Sequence, residues 1–176
     1  PLWGFSGLFD WWCHKKSKIE ETSGLKESLI HALMGAEIGI AFVIGIFFEL
    51  TVLTYLIMFF VLLAHEVVAH WDVKYSAPKR EITIWEMHAH NYLGTIPLYL
   101  FALISVLGWE VVVDTITFNW SGSMYLKLRD TPIGGAQYYL AYGIFISVVC
   151  VFPYISEVLR CWRYQRKQKT HADSIS

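Results

Sequence analysis

The chain has 176 residues, of which 55% are hydrophobic and only 16% charged, with a net charge of −1. Soluble domains carry about 25% charged residues, so the composition excludes an ordinary soluble domain, and with the basic residues dispersed among membrane-flanking segments the net charge says nothing about nucleic acid. The three cysteines, Cys13, Cys150 and Cys161, form no C-x-x-C pair, which argues against a zinc finger or a disulfide framework.

In chain order, the first dozen residues include Leu2, Trp3, Phe5, Leu8, Phe9, Trp11 and Trp12. Tryptophan is favoured at headgroup level, so this stretch predicts an N-terminal interfacial segment. From Ser28 to Trp71 the chain is almost continuously apolar, enough for two spans of about 20 residues. Glu49 is the apex of the hairpin between them, giving spans over about 28–48 and 52–71. A third span is expected over 84–113 and a fourth over 136–159. Pro97 and Pro153 fall inside these and predict a kink in each. The connection 114–135 is expected to fold back on the bundle, and Arg163–Ser176 reads as a polar tail. The fold class is therefore all-α, a single integral-membrane four-helix bundle.

Basic residues give its orientation. Lys15, Lys16, Lys18 and Lys26 precede the first span, and Lys74, Lys79 and Arg80 separate the second from the third. Arg160, Arg163, Arg166, Lys167 and Lys169 follow the fourth, whereas the other connections carry only Lys127 and Arg129. By the positive-inside rule both termini and the middle loop are expected to be cytoplasmic.

Ionisable residues inside a bilayer are costly and mark functional sites. The candidate metal ligands are His31 and Glu37 on the first span; His65, Glu66, His70 and Asp72 on the second; Glu86, His88 and His90 on the third; and Glu157 on the fourth. Folding the hairpins about Glu49 and Ala77 brings His31 level with Val67 or Val68, His65 level with Ala89, and Glu157 near the depth of Glu86. All lie within about two or three helical turns of the cytoplasmic interface, where His31, His65, His88 and His90 are expected to converge. At about 100° per residue, Glu27 and His31 share a helical face, as do Glu66 and His70, and Glu86 and His90.

Several of these residues have local alternatives. Glu86 completes a capping-box sequence with Thr83, and Glu27 suits a helix N-terminus. Asp72 could pair with Lys74 or Arg80, or orient a histidine, and Glu157 could pair with Arg160. His14 and His171 lie in polar flanking sequence and are left outside the set.

In design, carboxylate and histidine projected inward from several helices resemble ferritin-like di-iron bundles, although those use an i, i+3 Glu-x-x-His motif and this chain uses i, i+4. His65-x4-His70 is similar to the first histidine box of membrane desaturases and alkane hydroxylases, but no H-x-x-H-H follows. The longer pattern runs from Glu27-Ser28-Leu29-Ile30-His31 through His65-Glu66 and Trp71-Asp72-Val73-Lys74-Tyr75 to Glu86-x-His88-x-His90. It resembles a group of small four-span bacterial inner-membrane proteins without a settled function. That resemblance implies the four-span fold, a bacterial inner-membrane location and joint use of these residues, and it carries no activity.

Mixed imidazole and carboxylate donors suit iron, zinc or manganese, and the lack of thiolate donors argues against copper(I) or iron–sulfur. Three readings follow. The first is a non-haem dinuclear oxidoreductase, with two iron ions expected and zinc or manganese as alternatives. The second is an accessory or assembly subunit with a structural metal site and other membrane subunits as partners. The third is a b-type haem protein with two axial histidines. Membrane lipid is the expected surrounding, with no nucleic acid partner.

Overall fold

The computed structural model describes residues 1–131 and 133–174 and is all-α. Helix α1 (Leu2–Ser17) leads through a 3₁₀ turn, Ile19–Glu21, into α2 (Gly24–Phe47). Helices α3 (Val52–Ser76), α4 (Ile84–Leu107) and the short α5 (Trp109–Ile116) follow. Helices α6 (Gly135–Ile146) and α7 (Phe152–Asp173) are joined by a π-helical turn, Ser147–Val151. Four helices are long and apolar enough to cross a membrane: α2, α3, α4 and the continuous Gly135–Asp173. Ile40, Phe60, Leu103 and Leu140, one on each, are exposed. Soluble monomers rarely present large continuous apolar surface, so these outward faces suit lipid.

At the α2–α3 turn Thr51 caps α3 through a reciprocal capping box with Thr54. The loop after α5 folds back onto this turn, as its Gly and Ser punctuation suggests. Glu49 N–H donates to the Lys127 carbonyl (2.9 Å), the Thr51 hydroxyl to the Tyr125 carbonyl (3.0 Å), and Lys127 Nζ to Glu49 Oε1 (2.7 Å).

Three boundaries differ from the sequence expectation. The third span ends at Leu107 rather than 113, because Leu50 packs where Gly108 has no side chain: a Cβ there would stand 2.2 Å from Leu50 Cδ2. The chain turns at Gly108 and resumes as α5. The helix around Pro153 inserts the π-helical turn just before it. A proline removes an N–H and crowds the carbonyl four residues back, here Val149, and the wider turn accommodates both. The expected polar tail is helical from Arg163 to Asp173, while Ile175 and Ser176 lie outside the described residues.

Helix α1 also departs from the flat interfacial segment expected. Trp3 Nε1 donates to the Leu93 carbonyl (3.1 Å) and Gly4 lies against Phe145 and Val149, whereas His14 reaches Glu86 and Glu157. Leu93 and Glu86 are separated by about 10 Å of helical rise, so α1 climbs alongside α4 and α7. Its buried face is Gly4, Ser6, Gly7, Asp10, Cys13 and His14, while Leu2, Phe5, Phe9 and Trp12 are exposed. Small and polar residues inward with aromatics outward is the amphipathicity of a helix bordered by lipid.

Candidate metal centre

Five helices send ionisable side chains to one point. Helix α1 supplies Asp10 and His14, α2 Glu27 and His31, α3 Asp72, α4 Glu86 and His90, and α7 Glu157; Arg80 enters from the α3–α4 connection. Asp10, His14, Glu27, His31, Asp72, Arg80, Glu86 and Glu157 are buried, and the His90 side chain is 23% exposed.

His14 is the hub. Its Nδ1 lies 3.1 Å from Glu157 Oε2, and its Nε2 lies 3.2 Å from Glu86 Oε1 and 3.6 Å from Asp10 Oδ2. Its ring stacks on that of His31 with centroids 4.6 Å apart. His31 in turn sets Nε2 3.1 Å from Asp72 Oδ1 and Nδ1 3.5 Å from Glu157 Oε1. His90 Nε2 stands 3.0 Å from Asp10 Oδ1. Arg80 closes the end at the α3–α4 connection: Nε donates to both Glu27 oxygens (3.1 and 3.2 Å), Nη1 to Glu86 Oε2 (2.9 Å), and Nη2 to both carboxylates.

Electrostatics follow from this packing. Burial alone favours the neutral imidazole of His14, but the negative charges of Asp10 and Glu157 outweigh it and push its pKa up to about 10. Burial likewise favours neutral Asp10, yet His14 and His90 hold its carboxyl below the usual carboxylate range. With the imidazoles neutral, five buried carboxylates against one guanidinium leave a charge of −4, which two divalent cations would balance.

The donor geometry fits a metal. One ligand atom from each of Asp10, His14, His31 and His90 lies within 4.8 Å of the others, and the same holds for His14, Glu27 and Glu86 and for Glu27, His31 and Asp72. Donors sharing an ion at about 2.0–2.2 Å can be at most about 4.4 Å apart, so only slight contraction is needed. Asp10 Oδ1, both ring nitrogens of His31, Asp72 Oδ1 and Glu157 Oε1 are buried without a hydrogen-bond partner. Two of these contacts, Asp10 with His90 and His31 with Asp72, are as short as hydrogen bonds but are not aligned as such. Lone pairs that approach without pointing at one another suit a shared third atom.

Of the residues expected from the sequence, His31, Asp72, Glu86, His90 and Glu157 meet here, together with Glu27. Asp72 faces His31 rather than Lys74 or Arg80. Arg160 pairs with Glu20 (2.9 Å), which frees Glu157 for the histidines. Thr83 accepts the Glu86 N–H (3.3 Å), but the Glu86 carboxylate turns inward instead of closing the capping box.

The four imidazoles expected to converge do not do so as a set. His65 is buried about two turns further along, its Nδ1 3.5 Å from Glu37 Oε2. Glu66, His70 and His88 occupy exposed faces of α3 and α4, because those positions are rotated away from the stripe carrying Asp72 and from the stripe carrying Glu86 and His90. His14 and Asp10 take the vacated roles. Their signal was present: Asp10-x-x-x-His14 repeats the carboxylate–histidine spacing of Glu27/His31 and Glu86/His90.

Fold and site together define an all-α protein with four helices long and apolar enough to cross a membrane and a buried His/Asp/Glu cluster that could hold metal. Comparison with protein-family models, curated proteins and solved structures finds no match, so the class rests on the geometry of the centre itself.

Proposed function

We propose that the protein is an integral-membrane, non-haem dinuclear metal oxidoreductase with its centre toward the cytoplasmic face. The observation that carries this reading is the charge of the cluster. Protons on His14, His31 and His90 would supply at most +3, leaving a carboxyl to be protonated as well, and would charge the stacked His14 and His31 rings; two unit charges about 4.6 Å apart repel by about 4 kcal/mol at an effective dielectric of about 20. Two divalent ions remove that repulsion and leave both imidazoles neutral.

Mixed nitrogen and oxygen donors favour iron, with zinc or manganese as alternatives. The residues best placed to hold the ions are Asp10, His14, His31, Asp72, His90 and Glu157. In this reading His14 binds through Nε2 while its Nδ1 donates to Glu157, an arrangement that sets tautomer and ring orientation. Arg80 stays with Glu27 and Glu86 as a fixed counter-charge. When bound, iron would supply the electrons passed to oxygen or another acceptor. The stacked His14 and His31 rings leave no space between them for a porphyrin, which disfavours haem. The cytoplasmic assignment is supported by the basic residues beside the α3–α4 connection and along α7.

Metal analysis and an optical spectrum of purified protein provide the test. About two irons per chain without a Soret band are expected, with reaction toward oxygen after reduction. The accessory-subunit reading gains from one observation, that the cluster is almost sealed from solvent. A centre inert to reductant and oxygen would select it. Single cysteines at Ser174 and Ser121 should label from opposite sides of the membrane; labelling from one side would overturn the topology.

A further inference from the structure

An apolar chamber of about 790 Å³ lies between α2, α3, α4 and the α6–α7 helix and begins at Ala32, next to His31 of the His/Asp/Glu cluster. Its volume falls in the range of about 300–1,000 Å³ typical of small-molecule sites. Along α2 it extends from Ala32, next to His31, to Phe47. That is about 22 Å at about 1.5 Å per residue, most of the way across a hydrocarbon core of about 30 Å. Among the described residues no Asp, Glu, Lys, Arg or His lines it. At its far end α2 and α6 meet through the Phe42–Tyr142 and Phe47–Tyr139 ring pairs, each with centroids 5.1 Å apart.

The chamber opens sideways where Val43, Leu100, Val151 and Ile155 are exposed. Gly39 on α2 and Gly143 on α6 both line it, and a Cβ at either would meet nothing within 4 Å. Tyr154 forms the wall toward the centre: it lines the chamber, packs against Gly35, and sits one turn before Glu157 on α7. Its hydroxyl lies beside Gly7 of α1, about one turn before Asp10.

We propose that this chamber seats one hydrocarbon chain of a membrane lipid, so that the substrate class of the centre is a long-chain lipid whose functional end lies at Tyr154. The substrate assignment rests on the metalloenzyme reading; occupancy of the chamber does not. A polar ligand would find no charged partner along the walls, and for a chamber between membrane-spanning helices the bordering phase is acyl chain. A linear chain matches a space that runs along α2 from Ala32 to Phe47. Tyr154 then bounds the chamber at the end nearest the cluster.

The test uses the full chain reconstituted in phosphatidylcholine vesicles with a diazirine-bearing palmitic acid, photolysed and mapped by mass spectrometry. Labelling of the peptides carrying Phe42 and Tyr142 should be saturable by unlabelled palmitic acid, whereas labelling of outward residues such as Leu103 should not. Gly39→Leu and Gly143→Leu, tested separately because they fill the chamber from opposite walls, should each lower the saturable labelling roughly tenfold. Both replace glycine in a helix with a better helix former, and metal content should be unchanged in each. Labelling that is not saturable, or that persists in both filled variants, would overturn the chain-binding proposal. Saturable labelling of a wild-type protein that binds no metal would overturn the metalloenzyme reading and its substrate assignment while leaving chain binding intact.

Discussion

His14 makes both of its ring nitrogens available to carboxylates from other helices, Glu157 on α7 and Glu86 on α4, so it ties α1 to the rest of the cluster. Replacing it with alanine should remove at least one ion from the purified protein and lower its melting temperature, because Glu86, Glu157 and Asp10 would be left buried with less compensation. Losing one partner of such a network typically costs about 3–5 kcal/mol. His88→Ala, on an exposed face of α4, should change neither quantity; loss of metal in His88→Ala alone would reverse the assignment. Residues of this kind were legible where a polar side chain interrupts an apolar run: His31, Asp72, Glu86, His90 and Glu157 stand out for that reason. Asp10 and His14 did not, since they sit among lysines and tryptophans and resemble the polar face of a surface segment. Arg80 was read as a topological charge, and its burial between Glu27 and Glu86 depends on a chain path that no local pattern encodes.

Among the elements, α1 shows most clearly what local sequence hides. Leu2, Phe5, Phe9 and Trp12 are exposed on it, but the same pattern fits a helix lying flat and one climbing the bundle, and the choice depends on whether its other face finds a groove. Gly4 and Gly7 provide that fit. A Cβ at Gly4 would sit 3.0 Å from Phe145 Cε1 and 3.0 Å from Val149 Cγ2, so the helix is seated as closely as it can be. Gly4→Leu should therefore push α1 away from the π-helical turn, with an overpacking cost of about 1–3 kcal/mol. Because Asp10 and His14 ride on the same helix, metal content should fall along with stability, although Gly4 touches no ligand. A variant that kept its full metal content would show that α1 is not needed to assemble the centre. Helices α2, α3 and α4 needed no such information, for their length and hydropathy suffice, and only the end of α4 at Gly108 depended on a distant contact, Leu50.

For the whole molecule, a cluster of five buried carboxylates has to be neutralised either by protons or by metal, and the two solutions have opposite pH signatures. In metal-free protein the His14 pKa rises from an ordinary value near 6.5 to about 10, with Asp10 and Glu157 overcoming the effect of burial. A group whose folded pKa is raised contributes stability that is fully present below the unfolded value and lost as pH rises through the folded one. Stripped protein should therefore lose stability progressively from about pH 6.5 to about pH 10. Metal-loaded protein uses neutral imidazoles and ionised carboxylates, so protons compete with the ion only on acidification. It should hold its melting temperature through the alkaline window and release metal as the pH falls, the reverse of the stripped form. Melting curves across this range, with and without a membrane-permeable chelator, make the comparison. Profiles that superimpose would mean that protons alone balance the cluster, and would remove the metal from the proposed function.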